Sequence, residues 1–583
     1  MASESLNTLR IVDGTNLTNS DVNSRQNIID HDELAGSTNF TPYQRSRRCH
    51  KVVRLLRTLK NPFVLIASPL LFSPLLLHAK PEYNCAYCLL VMSVYWMTEA
   101  LPLAITALLP TVLFPITGVL PAKTVAREYL NDTNFLFIGG LIVAVAVEKC
   151  NLHERLALSV LQMVGSQPKW ILLGFMLATA VLSMFISNTA TTAMMVPIVQ
   201  SVTDQLLRSY KLHGKTENSD LLTHTKPTPR ETLMAKGLLI GICFAANIGG
   251  TGTITGTPPN LVVIGVLSAL FSDAETGVHY LSWMAYAFPM MICCLFACWA
   301  ILVVIFLRDA PPADDGVTKM MKQRYESLPR MSFAEKSVGI SFLILLVMWI
   351  TRQPEVVPGF GDFFARDQIT DATSAMFISL LLFALPEELP SLNSLFGPET
   401  NEKKTGSNRL MDWPTMQKKF PWSVILLLGG GFALASGVKE SGLSLLIGQM
   451  LASLNGLPVW TLQLVCIGVT MLTTNVCSNT VAASIFLPIV ANLAQETGVN
   501  PLALMLPTTI AASFAFILPI GTPPNAIVFA SGTLKVSDMI ISGFLVSAVT
   551  ALITVIYMNS GALLVFSLNE LPDWAALNGT IPN

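Results

Sequence analysis

One short pattern, met twice, limits what this chain can fold into. Ser187-Asn188-Thr189 is followed by Pro197, and Ser478-Asn479-Thr480 by Pro488, with one offset of 291 residues throughout. A second pattern, Gly256-Thr257-Pro258-Pro259-Asn260, returns as Gly521-Thr522-Pro523-Pro524-Asn525. Each is a polar, helix-breaking cluster set in apolar sequence. In lipid such a break is tolerated only where protein or a water-filled cavity satisfies the freed backbone groups. Paired breaks in two halves of a hydrophobic chain are the sequence mark of a binding site at mid-membrane.

Composition agrees with a membrane setting. Of 583 residues, 52% are hydrophobic and 13% charged, where a soluble protein carries about 25% charged residues. The apolar residues come in long runs, at 86–97, 170–185, 290–307 and 543–558, which read as membrane helices. The fold class is therefore an all-α polytopic membrane protein. A net charge of −1 leaves no nucleic-acid footprint. Cys85 and Cys88 form a CxxC without a second pair or a histidine cluster, and read as small packing residues. No nucleophile–base pair and no metal-ligand set stands out, which argues against an enzyme. The run from Gly250 to Gly256 is glycine-rich but has the wrong spacing for a nucleotide loop.

Along the chain, residues 1–50 read as a disordered cytoplasmic tail. A basic run (Arg45, Arg47, Arg48, Lys51, Arg54, Arg57, Lys60) precedes the first apolar span, residues 62–77. Positive charge beside the first span places that end in the cytoplasm. Glu99, within Thr98-Glu99-Ala100-Leu101-Pro102-Leu103, is either an intramembrane functional group or a buried structural carboxyl. Residues 135–152 and 426–443 each read as a re-entrant helical hairpin, with Gly139-Gly140 and Gly430-Gly431 at the tips, again 291 apart. The offset then falls to 265, because a polar insertion occupies about residues 210–232 of the first half. Additional spans between the two copies fit an inverted pair of repeats. Asn578-Gly579-Thr580 is a glycosylation acceptor if the tail lies outside.

Ser, Asn and Thr are strong helix caps. Where one helix stops and another starts inside the membrane, the new helix turns its free N–H groups into the protein. That end carries about half a positive charge and attracts anions. Thr257 with Pro258 repeats the device as a capping hydroxyl followed by proline at the first helical position. The motifs contain no Lys or Arg, so an anion there rests on helix ends, hydroxyls, amides and a bound cation. Ser183 stands one helical turn before Ser187, and Thr474 one turn before Ser478, so a hydroxyl for that cation is duplicated too. The competing reading, small residues packed between helices, accounts for one copy more easily than for two at a fixed spacing.

These motifs, with the Thr98 to Leu103 stretch, resemble those of the divalent-anion/sodium symporter family of di- and tricarboxylate carriers, over about residues 52–570. The resemblance is nearest to the animal citrate and dicarboxylate carriers, including the insect INDY type. It implies a homodimer of about eleven spans per protomer plus two re-entrant hairpins, with elevator-type scaffold and transport domains. Residues 51–133 and 281–420 would supply the scaffold spans of the two repeats. Residues 134–275 and 421–535 would supply their transport elements, and 536–583 the last span and an external tail. The resemblance implies substrate contacts from Asn188, Thr189, Thr257, Asn479, Thr480 and Thr522. It implies a first sodium site at Ser183, Ser187, Asn188 and the Gly256 backbone. A second would use Thr474, Ser478, Asn479 and the Gly521 backbone. The cargo would be citrate and the C4 dicarboxylates succinate, malate and fumarate. It would cross the plasma membrane by cation-coupled symport or by electroneutral, sodium-independent exchange. An anion channel, or a carrier for another divalent anion such as sulfate, is the alternative. No cofactor beyond sodium ions is implied. The N-terminus would be cytoplasmic and the C-terminus extracellular.

Overall fold

Proline and capping residues decide where most helices begin. The computed structural model describes residues 61–575, apart from 162–166, 214–228, 272–273, 309–318, 320–321, 324, 354–357, 366–367, 389–408, 444–445 and 447–455. The tail, its basic run, the middle of the polar insertion and the Asn578 triplet lie outside the described residues. An apolar helical stretch, Asn61–His78, comes first. The principal helices of the first half are α1 (Pro81–Thr98), α2 (Asp132–Lys149), α3 (Leu152–Leu161), α4 (Pro168–Ser183), α5 (Asn188–His213), α6 (Pro229–Gly249) and α7 (Pro258–Leu270). Then come α8 (Tyr280–Phe306), α9 (Phe333–Arg352) and α10 (Asp371–Ala384). The second half continues with α11 (Trp422–Glu440), α12 (Val459–Thr474), α13 (Asn479–Glu496), α14 (Pro501–Ala512), α15 (Pro523–Ala530) and α16 (Val536–Met558).

The duplication read in the sequence is a duplication of helices. Adding 291 to the bounds of α4 gives those of α12, and adding it to Asn188 gives the first residue of α13. Helices α4, α7, α14 and α15 open on proline, whose missing N–H costs nothing in a first turn. Helix α9 opens on a capping box in which Ser332 Oγ accepts from the Glu335 N–H and the Glu335 carboxylate accepts from the Ser332 N–H. That carboxylate also receives Arg155 Nε of α3 at 3.1 Å, so the cap holds two helices together.

The two glycine pairs are not hairpin tips. Helix α2 runs unbroken through Gly139-Gly140, and α11 through Gly430-Gly431. A Cβ on Gly139 would stand 2.6 Å from Ala375 Cβ, and one on Gly430 would stand 2.5 Å from the Ala107 carbonyl oxygen. The glycines serve close approach between helices, as small residues do where lipid supplies no hydrophobic drive. The chain breaks instead at residues 184–187 and 475–478, directly before the two motif helices. Of the two readings of Glu99, the structure removes one. The residue is exposed, at the C-cap of α1 with φ 52°, and is not a buried carboxyl.

Among the described residues, seven helical stretches are long and apolar enough to cross a membrane, and six shorter apolar helices accompany them. Large apolar side chains face outward along these helices: Val304 of α8 is 68% exposed, Leu343 of α9 60% and Phe544 of α16 61%. Bands of that kind suit lipid and not water. Inside, the buried apolar residues form a large core and a smaller one, the latter made by α1, the short helices after it, and one side each of α11 and α13. Cys85 and Cys88 are fully buried in the smaller core, in keeping with a packing role.

Candidate functional site

The site begins with a helix end and a hydroxyl. Ser183 is the last residue of α4 and Asn188 the first of α5. Ser183 Oγ lies 2.5 Å from Asn188 Oδ1 and 2.8 Å from the Ala246 carbonyl oxygen near the end of α6. In the second half Thr474 Oγ1 lies 2.8 Å from Asn479 Oδ1 and 2.6 Å from the Ala512 carbonyl oxygen. Each hydroxyl has one proton and faces two acceptors. Each cluster therefore gathers three oxygens around a single hydrogen. Hydroxyl, amide and main-chain oxygens at a broken helix are the donor set that suits a sodium ion.

The loops ahead of α7 and α15 close over these clusters in matching ways. Asn260 Nδ2 donates to the Gly250 and Thr253 carbonyls at 3.1 and 2.7 Å. Asn525 Nδ2 donates to the Ala515 and Leu518 carbonyls at 2.8 and 3.0 Å, 265 residues on. Thr253 Oγ1 donates to the Met184 carbonyl, which ties the first loop to the first break. A Cβ at Gly256 would stand 2.4 Å from the Gly250 carbonyl oxygen, and one at Gly250 2.6 Å from Asn188 Oδ1. Only glycine lets the loop backbone come so near the amide.

The two halves then interlock crosswise. Helix α5 packs on α15, and α13 packs on α7. Each Ser-Asn-Thr helix thus rests on the Gly-Thr-Pro-Pro-Asn helix of the other half. A direct bond crosses between them, from Asn247 Nδ2 at the end of α6 to Thr522 Oγ1 at 3.2 Å.

Comparison with known proteins fits this arrangement. A family model described as the sodium:sulfate symporter transmembrane region matches residues 51–567. The chain belongs to this symporter family. Two relatives from Caenorhabditis elegans are similar along nearly their full length. The sodium-dependent high-affinity dicarboxylate transporter 3 is 58% identical, over 95% of this chain and 96% of the relative. The sodium-dependent low-affinity dicarboxylate transporter 1 is 50% identical, over 90% and 94%. The Na(+)/citrate cotransporter of Mus musculus is 38% identical, over 88% and 97%.

Within this symporter the sequence-predicted residues are not all placed alike. Ser183, Asn188, Thr474 and Asn479 meet in the two clusters, while Gly256 and Gly521 are buried beside the breaks. Ser187 acts as a cap, its Oγ accepting from the Ala190 N–H at 3.2 Å. Ser478 is the N-cap of α13 but makes no side-chain cap bond. Thr189 is exposed, whereas Thr480 is 5% exposed. Thr257 and Thr522 are N-cap residues, 3% exposed each, yet neither hydroxyl caps its helix. The hydroxyl cap read from Thr257-Pro258 is thus corrected, because Pro258 and the extended Thr257 backbone start the helix without it. The carbonyls of Ala246 and Ala512 escaped the sequence reading, since a main-chain oxygen has no sequence signature. Asn260 and Asn525 were visible as repeated letters, but their role in folding the loops was not. The candidate residues hold no titratable side chain, so any charge in the site comes with its ligands.

Proposed function

We propose that this chain is a secondary transporter that carries citrate and C4 dicarboxylates across the plasma membrane together with sodium. The observation that carries the reading is the duplicated hydroxyl–amide–carbonyl cluster, held at two helix breaks. In each copy the asparagine turns its Oδ1 toward the cluster, which leaves its NH2 group for a carboxylate. Sodium at the clusters would supply the positive charge that the motif side chains lack. The same amide then senses both ligands, and sodium binding raises affinity for the anion by linkage. Free N–H groups of α5 and α13, with Thr189, Thr480, Thr257 and Thr522, would complete the anion's shell. The names of the relatives, sodium-dependent dicarboxylate and citrate transporters, support this cargo and this coupling over sodium-independent exchange.

The reading extends to the whole protein. The two repeats are inverted, the regions 134–275 and 421–535 move as a transport domain, and the regions 51–133 and 281–420 form a scaffold within a homodimer. The N-terminus is cytoplasmic and the C-terminus extracellular. The test is uptake of labelled succinate and citrate into proteoliposomes, with sodium chloride replaced by choline chloride. Uptake should fall to background and should carry current when sodium is present. Unchanged uptake in choline would remove sodium coupling, and unsaturable flux without trans-stimulation would favour a channel.

A further inference from the structure

The two halves differ at one buried position that the motifs do not include. The accepting carbonyl of the first cluster, Ala246, is followed by Asn247, and that of the second, Ala512, is followed by Ser513. Asn247 is fully buried. Its Nδ2 donates to Thr522 Oγ1 at 3.2 Å and approaches Asn525 Oδ1 at 3.5 Å. The mirrored link is missing among the described residues. Ser513 Oγ, one residue after the second carbonyl as Asn247 is after the first, and Asn260 Oδ1, the counterpart of Asn525 Oδ1, are both buried without a hydrogen-bond partner among the described residues. Asn247 lies within α6, whereas Ser513 is the C-cap residue after α14, so the two halves present different groups there.

A threonine hydroxyl offers one proton and accepts through its lone pairs. The Asn247 N–H takes up the accepting side of Thr522. Thr522 makes no cap bond to its own helix, so no N–H of α15 competes for that accepting side, and its Oγ1 donates to no acceptor among the described residues. We propose that Asn247 is a positioning residue, which fixes Thr522 as a hydrogen-bond donor to the substrate carboxylate. Thr257 has no such partner among the described residues and keeps a hydroxyl that turns to suit the ligand. The anion site is therefore asymmetric, with one dedicated donor from the second half and one adaptable hydroxyl from the first. The inference rests on the reading above that Thr522 lines the substrate site.

The test is a double-mutant cycle on succinate uptake by the full chain in proteoliposomes, with Asn247→Ala, Thr522→Val and both together. Asn247→Ala should raise KM about fivefold with maximal rate within about twofold. Thr522→Val should raise KM at least as much, and the double variant should match Thr522→Val alone. The half-saturating sodium concentration should hold within about twofold. A merely structural disturbance of α6 would move it through the Ala246 carbonyl. If Thr522→Val raises KM but Asn247→Ala matches wild type, adds to it independently, or shifts sodium dependence instead, the positioning role is overturned. If Thr522→Val itself leaves KM unchanged, the placement of Thr522 in the substrate site fails, and the proposal with it. Should Asn247→Ala not fold, Asn247→Ser, which copies the residue at 513, must give the same KM rise.

Discussion

An asparagine amide has an accepting end and a donating end, and Asn188 and Asn479 commit the accepting end to a hydroxyl of the preceding helix. A carboxylate substrate and a cation can then share one side chain without competing for the same atom. Asn188→Ala and Asn479→Ala should each abolish succinate uptake while the protein still elutes as a folded species on gel filtration. Wild-type rates in both would remove these residues from the site. Ser183→Ala and Thr474→Ala should act differently. Each deletes one oxygen from a cluster and should raise the half-saturating sodium concentration about tenfold, with a smaller change in maximal rate. A sodium titration of uptake separates the two outcomes, and an unchanged curve would show that the clusters do not hold the cation. The hydroxyl–amide pairs were legible in the sequence because both partners are side chains and both recur at 291. The third oxygen was not, because it belongs to a main-chain carbonyl 63 residues away in one half and 38 in the other.

Helices carry the same lesson at a coarser grain. Paired glycines inside an apolar run fit a turn or a close helix contact, and periodicity does not separate the two. The structure chooses contact: Gly139 of α2 faces Ala375 of α10, whose Ser379 Oγ also donates to the Gly139 carbonyl at 2.9 Å. The true breaks follow Ser183 and Thr474, where consecutive Ser, Thr and Asn compete for backbone bonds. Gly139→Val and Gly430→Val should therefore each cost about 2 kcal/mol or more through overpacking. That loss reads as a lower midpoint in thermal unfolding of the detergent-solubilised protein. Gly468 of α12 is the control, since a Cβ there meets nothing within 4 Å. Gly468→Ala should be neutral or stabilising by up to about 1 kcal/mol. Equal midpoints for the valine variants and wild type would return the glycine pairs to a turn role.

At the scale of the whole molecule, the feature that matters is that each three-oxygen cluster lies within one half, while the helices beside it pack on the other half. Helix α5 needs α15 beside it, α13 needs α7, and the Asn247–Thr522 bond joins the two pairs. Sequence repetition alone was compatible with two independent sites lying far apart, because an offset says nothing about how copies dock. Docking is decided by shape, with Gly265 of α7 leaving room for the Phe432 ring of α11, where a Cβ would stand 1.9 Å from a ring carbon. The span count was less legible for the same reason. Broken helices such as α4 and α12 have 16 residues each, shorter than the roughly 20 that a full crossing needs, and their partners are supplied by tertiary contacts. A division of the chain between Glu388 and Arg409 tests the crosswise arrangement. It places one Ser-Asn-Thr and one Gly-Thr-Pro-Pro-Asn motif on each fragment and cuts none of the helices described. The fragment ending near residue 398 keeps α5 and α7 but loses α15 and α13, which pack on them from the other half, and its complement keeps α13 and α15 with the matching loss. Each fragment expressed alone should show no sodium-dependent succinate binding, while co-expression should restore uptake to a measurable fraction of wild type. If one fragment alone bound succinate in a sodium-dependent way, each half would hold a complete site, and the interlocking of the repeats would lose its functional meaning.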